Sequence, residues 1–529
     1  MYAIKKNLWS ICHKNKTKMK TNHFIYFIIL ILLIGCTNIN EIEIQQKELE
    51  NKKFLNLNEA KPSEIINIGD KEIFNLEAKP VIKDINGIKL KMYAYNNQIP
   101  GPVIKVRQGS TISVNFTNNI DMDTTIHWHG IRLDNKYDGV PNVTQQPIKP
   151  DERFLYELYF PDEGIYWYHP HIREDLQQEL GLYGNIIVEP RVENYYNKVD
   201  REVFLFLDDI KMAKNKVDVF GKDFARFALM GRFGNVMLTN GETDYSLSIK
   251  KGEVVRFYLT DAANTRTFNL SIEEYKLKLI GSDSGKFEKE EFVDSIVIAP
   301  AERYIAEILF DKKGTFDILH KTPLRIYKLG TIEVSDEETE SKNYINFLKI
   351  KENIEIKNGI DKFRKYFDKA PDYEIDLSVD MHGMGNMEHS MMDMDSEQNI
   401  EWEDDMPMMN TMATSKNTKW ILKDRATGKE NMDINYQVKV GDIKKIRIFN
   451  NPKSIHPMQH PMHLHGQRFL VLSVDGKQND NLVWKDTVLV PKGSTADILV
   501  EFTNPGNWMF HCHIAEHLES GMMSMFNVI

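Results

Sequence analysis

Ile498-Leu499-Val500-Glu501-Phe502-Thr503-Asn504-Pro505-Gly506-Asn507-Trp508-Met509-Phe510-His511-Cys512-His513 decides how the chain folds. An apolar run leads to a glycine, and an aromatic strand then leads to a His-Cys-His triplet. The same element occurs twice upstream, as Tyr304 to Phe310 before Gly314 and as Phe154 to Phe160 before Gly164. A second element, a strand, a Gly turn and a strand, also recurs three times. It reads Val103 to Val106 before Gly109 and Thr111 to Phe116, Leu247 to Ile249 before Gly252 and Val254 to Leu259, and Val438 to Val440 before Gly441 and Ile443 to Ile448. The flanking alternation is that of half-buried strands. One set of glycines is spaced by 143 and 189 residues and the other by 150 and 192, so both report a single repeat. Three homologous all-β units, with many short strands and turn residues, point to Greek-key sandwiches.

On a strand, alternation points Cys512 to one face and His511 and His513 to the other, so one peptide can hold two metal centres. The chain continues Ile514-Ala515-Glu516-His517-Leu518-Glu519-Ser520-Gly521-Met522. Cys512, His517 and Met522, with one more histidine from elsewhere, make the His₂Cys set with a weak axial Met that defines a blue, type 1 copper site. Met523 is the adjacent, less well-spaced axial candidate. Three further stretches carry histidines: His127-Trp128-His129-Gly130, Trp167-Tyr168-His169-Pro170-His171 and His460-Pro461-Met462-His463-Leu464-His465-Gly466. The four stretches hold ten of the sixteen histidines, and imidazoles this crowded need a metal or counter-charges. In the register of the repeat, Pro170 stands where the last unit has Cys512, and the middle unit offers only Ile318-Leu319-His320. Only the third unit can therefore hold the type 1 copper, while the first and third each give two His-X-His pairs to a shared cluster. The middle unit is expected to be a spacer, with His320 a structural residue.

At these four motifs the sequence resembles the multicopper oxidases, over about residues 76 to 529. The resemblance implies cupredoxin domains and four copper ions, one type 1, one type 2 and two type 3. Residue by residue it assigns His127 and His463 to type 2, His129, His169 and His513 to one type 3 ion, and His171, His465 and His511 to the other. His460 completes the type 1 set. Electrons would leave the type 1 copper through the Cys512 sulfur and pass along the backbone into His511 or His513, to a site that reduces dioxygen to water. A methionine as axial ligand should give a lower potential than Leu or Phe. Asp138, eleven residues after His127, matches the acid that in this family lies near the type 2 copper; the competing reading is an Asp-Gly surface turn. The family's second acid stands three residues after the Cys or just after the second type 1 His. Here those positions are Ala515 and Leu518, which leaves the second proton donor open, with Glu516 and Glu519 as neighbours.

Between Met381 and Met412 lie ten of the 24 methionines, with His382, His389, eight acidic residues and no Lys or Arg. Thioethers and imidazoles select Cu(I), and carboxylates can hold the Cu(II) product. Met381, His382, Met384, Met387, His389, Met391, Met392 and Met394 are the candidate ligands of a substrate Cu(I). The segment resembles the methionine-rich segment of bacterial cuprous oxidases of the copper-resistance type. A disordered acidic insert or a lid of packed methionines is the plainer alternative. His456-Pro457-Met458-Gln459 is either a second docking point or an ordinary loop. The expected function is oxidation of Cu(I) in copper tolerance, with a laccase-like oxidase of phenols or aromatic amines, or a copper-sequestering envelope protein, as alternatives. Nitrite reduction is disfavoured because such reductases lack a full trinuclear set.

The 529 residues suit roughly three domains. The expected division is a signal peptide over 1–36, a tether over 37–75, domains over 76–190, 191–340 and 372–529, and a linker over 341–371, with the methionine-rich insert at 381–412. Six lysines and no acidic residue precede the apolar run Phe24 to Ile34, which is short for a membrane span and right for a signal-peptide core. Leu33-Ile34-Gly35-Cys36 resembles a bacterial lipobox, which implies that Cys36 is acylated and becomes the first mature residue; an uncleaved anchor is the alternative. Either way the body lies outside the cytoplasm, on the periplasmic or extracellular face of the cell envelope. Cys512 is then the only free thiol, which favours a redox or metal role. Loss of the six lysines takes the formal charge from −10 to −16, which argues against nucleic acid and is compatible with cationic substrates. The expected partners are dioxygen and Cu(I) or a small reducing substrate, with no nucleic acid, membrane contact only through the N-terminal lipid, and a monomeric state.

Overall fold

The turn glycine of every repeat makes the same hydrogen bond. In the computed structural model, which describes residues 56–381 and 399–529, the Gly109 N–H donates to Phe160 O (2.6 Å), Gly252 to Phe310 O (2.7 Å) and Gly441 to Phe502 O (2.7 Å). The three glycines have φ of 81°, 89° and 92°, a region a side chain disfavours. At each of these turns the chain leaves one sheet and enters another, so Val103–Arg107 and Thr111–Asn118 belong to different sheets of one sandwich. The phenylalanine that accepts the bond is buried in all three units.

The first sandwich pairs a five-stranded sheet, in the order Ile65–Asn67, Val103–Arg107, Gly184–Glu189, Gly164–His169 and His127–His129, with a four-stranded sheet, Ile88–Tyr95, Ile73–Ile85, Thr111–Asn118 and Arg153–Tyr159. The second has sheets of six and five strands, and the third sheets of seven and five. In each unit the strand after the turn glycine runs parallel to an earlier strand and antiparallel to the strand that leads into the accepting phenylalanine. Parallel neighbours require a long crossover, which is why the strands cannot form a simple meander. Each sandwich has its own apolar core.

Two expectations need correction. The tether expected over 37–75 ends early: Ile65–Asn67 pairs with Val103 to Lys105, and Ile73 already belongs to a thirteen-residue strand. A three-residue edge strand is too short to show periodicity. The middle unit is more than a spacer, since Leu229, Met230 and Phe233 enter the core of the third sandwich. The linker over 341–371 contains two short helices, Tyr344–Phe347 and Ile354–Asp361. Residues 1–55, including Cys36, and residues 382–398, including His382, Met384, Met387, His389, Met391, Met392 and Met394, lie outside the described residues. Among the described residues no helix is long and apolar enough to cross a membrane.

Candidate metal centres

The histidine motifs meet because their strands are neighbours. His127–His129 pairs antiparallel with Gly164–His169, placing His127 opposite His169. In the third sandwich His460–Leu464 pairs with Gly506–Cys512, placing His463 opposite His511. Alternation then separates Cys512 from its neighbours.

On one face, the Cys512 Sγ lies 3.5 Å from His460 Nδ1 and 3.8 Å from His517 Nδ1, and the two nitrogens are 3.3 Å apart. Three donors about 2.0–2.3 Å from one ion in a trigonal plane would stand roughly 3.5–3.7 Å apart. The triangle therefore has the size of a copper site. All three residues are fully buried, and burial pushes the thiol pKa up, so the thiolate needs a cation to form. Met522 is buried in the same core as Cys512, whereas Met523 packs with Val140, Met509 and Leu518, which favours Met522 as the axial residue.

On the other face eight imidazoles from two sandwiches converge. Four have their tautomer fixed by a carbonyl, which can only accept: the Nδ1–H of His127 donates to Asp138 O (2.8 Å), of His463 to Asp486 O (2.8 Å), of His169 to Pro170 O (2.9 Å) and of His511 to Cys512 O (2.9 Å). His465 Nδ1 is held by Asp138 Oδ2 at 2.9 Å, and Glu174 Oε1 lies 3.3 Å from His171 Nδ1. The Nε2 lone pairs of His465 and His511 are left facing one another at 2.9 Å, and the Nε2 atoms of His169 and His513 approach to 3.3 Å. Two acceptors at such distances repel unless a cation lies between them. Burial and the neighbouring imidazoles hold the pKa of His169, His171, His463, His465 and His513 well below the usual value, and burial takes His511 to about 4. Neutral rings with pinned outer nitrogens are what a metal ligand set requires. The donor sets thus fit copper on both faces, and His171, His465 and His511 form one of the tight groups.

Asp138 is buried, not a surface turn, and touches both His127 and His465. The open question of a second acid meets a cluster of carboxyls. The helix Ala515–Glu519 packs against Glu174–Gln177, bringing Glu516 and Glu519 towards Glu174 and Asp175. Burial, with Asp175 nearby, raises Glu516 to about 8 and Glu519 to about 7. Asn264 Nδ2 and Thr265 Oγ1 of the middle sandwich donate to the Glu516 carboxyl at 3.2 and 3.1 Å. A cavity of about 510 Å³ lined by His171, Glu519, Met432, Met509 and Met523 lies beside this cluster. Glu174 was missed in the sequence, where Arg173-Glu174-Asp175 looks like an ordinary solvated turn. Asp486 and Thr487, which hold His129, were missed too, although adjacent opposite charges inside Leu482 to Val490 are a signal of buried pairing. His320 is buried away from these rings and accepts the Asn269 N–H at 3.0 Å, as a structural residue would.

Comparison with known proteins agrees with the geometry. Profiles described as multicopper oxidase match residues 79–193, 209–341 and 401–529. The multicopper oxidase mco of Staphylococcus aureus is 28% identical over 443 residues, covering 82% of this chain and 83% of that protein. The multicopper oxidase MmcO of Mycobacterium tuberculosis is 26% identical, with 86% of each chain covered. Among solved structures, a multicopper oxidase from Campylobacter jejuni described as a metallo-oxidase is 25% identical with a TM-score of 0.65, covering 89% of this chain and 98% of that one. A laccase-like oxidase from an Ochrobactrum species, 21% identical with a TM-score of 0.68, covers 89% of this chain and all of that one, and shares the fold.

Copper-loaded protein is expected to show an intense visible thiolate-to-copper absorption. Cys512→Ser should abolish that band and lower bound copper by one ion per chain in metal analysis, leaving the remainder bound. A band that survives the substitution would place the type 1 copper elsewhere.

Proposed function

The chain belongs to the multicopper oxidases, oxygen-dependent copper enzymes that draw electrons from a reducing substrate, and we propose that its reductant is Cu(I), oxidised to Cu(II) in copper tolerance. The residues assigned above to type 1, type 2 and type 3 sites would hold four ions. Copper there supplies one-electron oxidation at the thiolate site and reduction of dioxygen to water at the three-ion site. Cys512 serves both, because its sulfur faces one centre while His511 and His513, its peptide neighbours, face the other. Asp138 holds the outer proton of His465, which keeps its inner Nε2 atom free as a ligand.

The observation that carries the Cu(I) reading is the roof over the type 1 ligands. His460 and His517 have no exposed surface. Trp420 lies against His517 with ring centroids 4.0 Å apart and the planes tilted by 31°, and its indole N–H donates to Ala228 O (2.7 Å). Next to Ala228, Met230 N–H donates to Asn410 Oδ1 (3.0 Å), which ties the roof to the helix Pro407–Met412. Met406 and Met409 pack inward against the core that contains Cys512, while Met408 and Met412 are 78% and 53% exposed. A bulky aromatic donor finds no ligand edge to touch. Thioethers running from surface to core suit a soft cation. Asp405 precedes the helix and is the acid there placed to take up the harder Cu(II), since Glu403 is held by Arg266 and Tyr327 and Asp404 by Asn410.

Deleting residues 382–398 while keeping the helix should lower oxygen uptake with chelated Cu(I) by tenfold or more and leave the thiolate band intact. Slow uptake in both proteins, with rapid turnover of phenolic dyes, would make this a laccase-like enzyme instead.

We also propose that the mature protein is anchored to the cell envelope by lipid on Cys36, supported by the apolar run and Leu33-Ile34-Gly35-Cys36. Labelled palmitate should enter the wild-type protein and be absent from Cys36→Ser; a label retained by the variant excludes the anchor.

A further inference from the structure

His129 differs from its partners. Where the other rings with a held outer nitrogen keep Nε2 for the metal, His129 has its Nε2 taken, by Asp486 Oδ1 at 3.0 Å and Thr487 Oγ1 at 3.1 Å. Its Nδ1 is buried and unpartnered. Asp486 therefore decides which nitrogen His129 offers. The same residue also receives the His463 Nδ1–H on its carbonyl, so it touches ligands from two sandwiches.

Asp486 is in turn held from the middle sandwich. Arg303 forks onto its carboxylate, with Nη1 2.6 Å from Oδ1 and Nη2 on Oδ2. Two further donors of the guanidinium are fixed as well, Nε on Ile165 O of the first sandwich (3.0 Å) and Nη1 on Ala301 O (2.9 Å). Asp283 completes the clamp, accepting the backbone N–H of Arg303 on Oδ1 (3.0 Å) and that of Asp486 on Oδ2 (3.2 Å). All three side chains are fully buried. Gly130, which follows His129, lies directly on the pair: a Cβ there would stand 2.3 Å from Asp486 Oδ2 and 2.9 Å from Arg303 Nη2. An arginine so placed has no freedom to reorient, and its planar fork fits a carboxylate in one plane only.

We propose that Arg303 is a positioning residue for the trinuclear centre. Through Asp486 it holds the His129 ring with Nδ1 offered to copper, which makes the middle sandwich part of the oxygen-reducing site. The proposal rests on the type 3 role assigned to His129.

The test uses full-length copper-loaded protein carrying Arg303→Lys, Arg303→Gln or, as a control in the same charge network, Lys485→Met. Lys485 contacts Asp283, Glu302 and Ser282 but not the Asp486 carboxylate. Cluster copper is titrated against a chelator, the coupled type 3 pair is followed by EPR, and the visible thiolate band reports the distant type 1 site. Arg303→Gln should weaken cluster copper about 10- to 100-fold, the range for lost partners of metal-bound histidines, and uncouple the pair so that a new EPR signal appears. The thiolate band should be unchanged. Arg303→Lys, which keeps the charge without the fork, should fall between wild type and Arg303→Gln, and it decides the matter if the latter does not fold. Lys485→Met, which removes a charge beside Asp283 and leaves the fork on Asp486 in place, should weaken cluster copper less than Arg303→Gln does. The proposal is overturned if the Arg303 variants keep wild-type affinity and coupling, or if the thiolate band and cluster decline together in all three variants. Wild-type protein that lacks a coupled pair would instead overturn the type 3 assignment itself.

Discussion

Buried imidazole nitrogens that face one another with lone pairs repel, and the third sandwich holds two such atoms face to face, beside imidazoles supplied by the first. His465 and His511 approach to 2.9 Å, with the protons of both rings committed elsewhere, one to Asp138 and one to a carbonyl. Among the described residues nothing relieves that contact. Desolvation and mutual repulsion keep the rings neutral, so protonation is not the remedy. A cation is, and the arrangement of strands, carbonyls and carboxylates around the rings is a means of holding them ready for it.

The middle sandwich gains a role from the same constraint. Its Arg303 clamps Asp486, its Asn264 and Thr265 hold Glu516, and its Leu229, Met230 and Phe233 enter the core beneath the type 1 ligands. Removing one member of a buried ion pair such as Arg303–Asp486 leaves an uncompensated charge, at about 3–5 kcal/mol. Both proposed centres therefore depend on a unit that supplies no ligand. Cys512 makes the opposite economy, since one strand residue between two histidines joins the centres through a single peptide.

Much of this was legible in the sequence because the chemistry demands rare residues at fixed spacing. His-X-His pairs on strands, one thiol between two histidines, and a glycine at positive φ every repeat leave few other readings. The position of Asp138 could be matched from its distance to His127, though not its second contact to His465. What stayed hidden is long-range or short. Arg303 and Asp486 are separated by 183 residues, and a lone arginine in Glu302-Arg303-Tyr304 has no local signature. Ile65–Asn67 is three residues long, too short for alternation to declare it. The roof over His517 depends on Trp420 and Ala228, which no motif links.

Electrons delivered beside Cys512 would reach dioxygen at the histidine cluster through one strand. The decisive measurement is to reduce copper-loaded protein anaerobically, admit limiting dioxygen, and count electrons against oxygen while following the thiolate band. Four electrons should be consumed per dioxygen, the band should return in step, and no hydrogen peroxide should accumulate. Peroxide at two electrons per dioxygen, or a band that fails to return, would show that the two centres are not coupled as the structure implies.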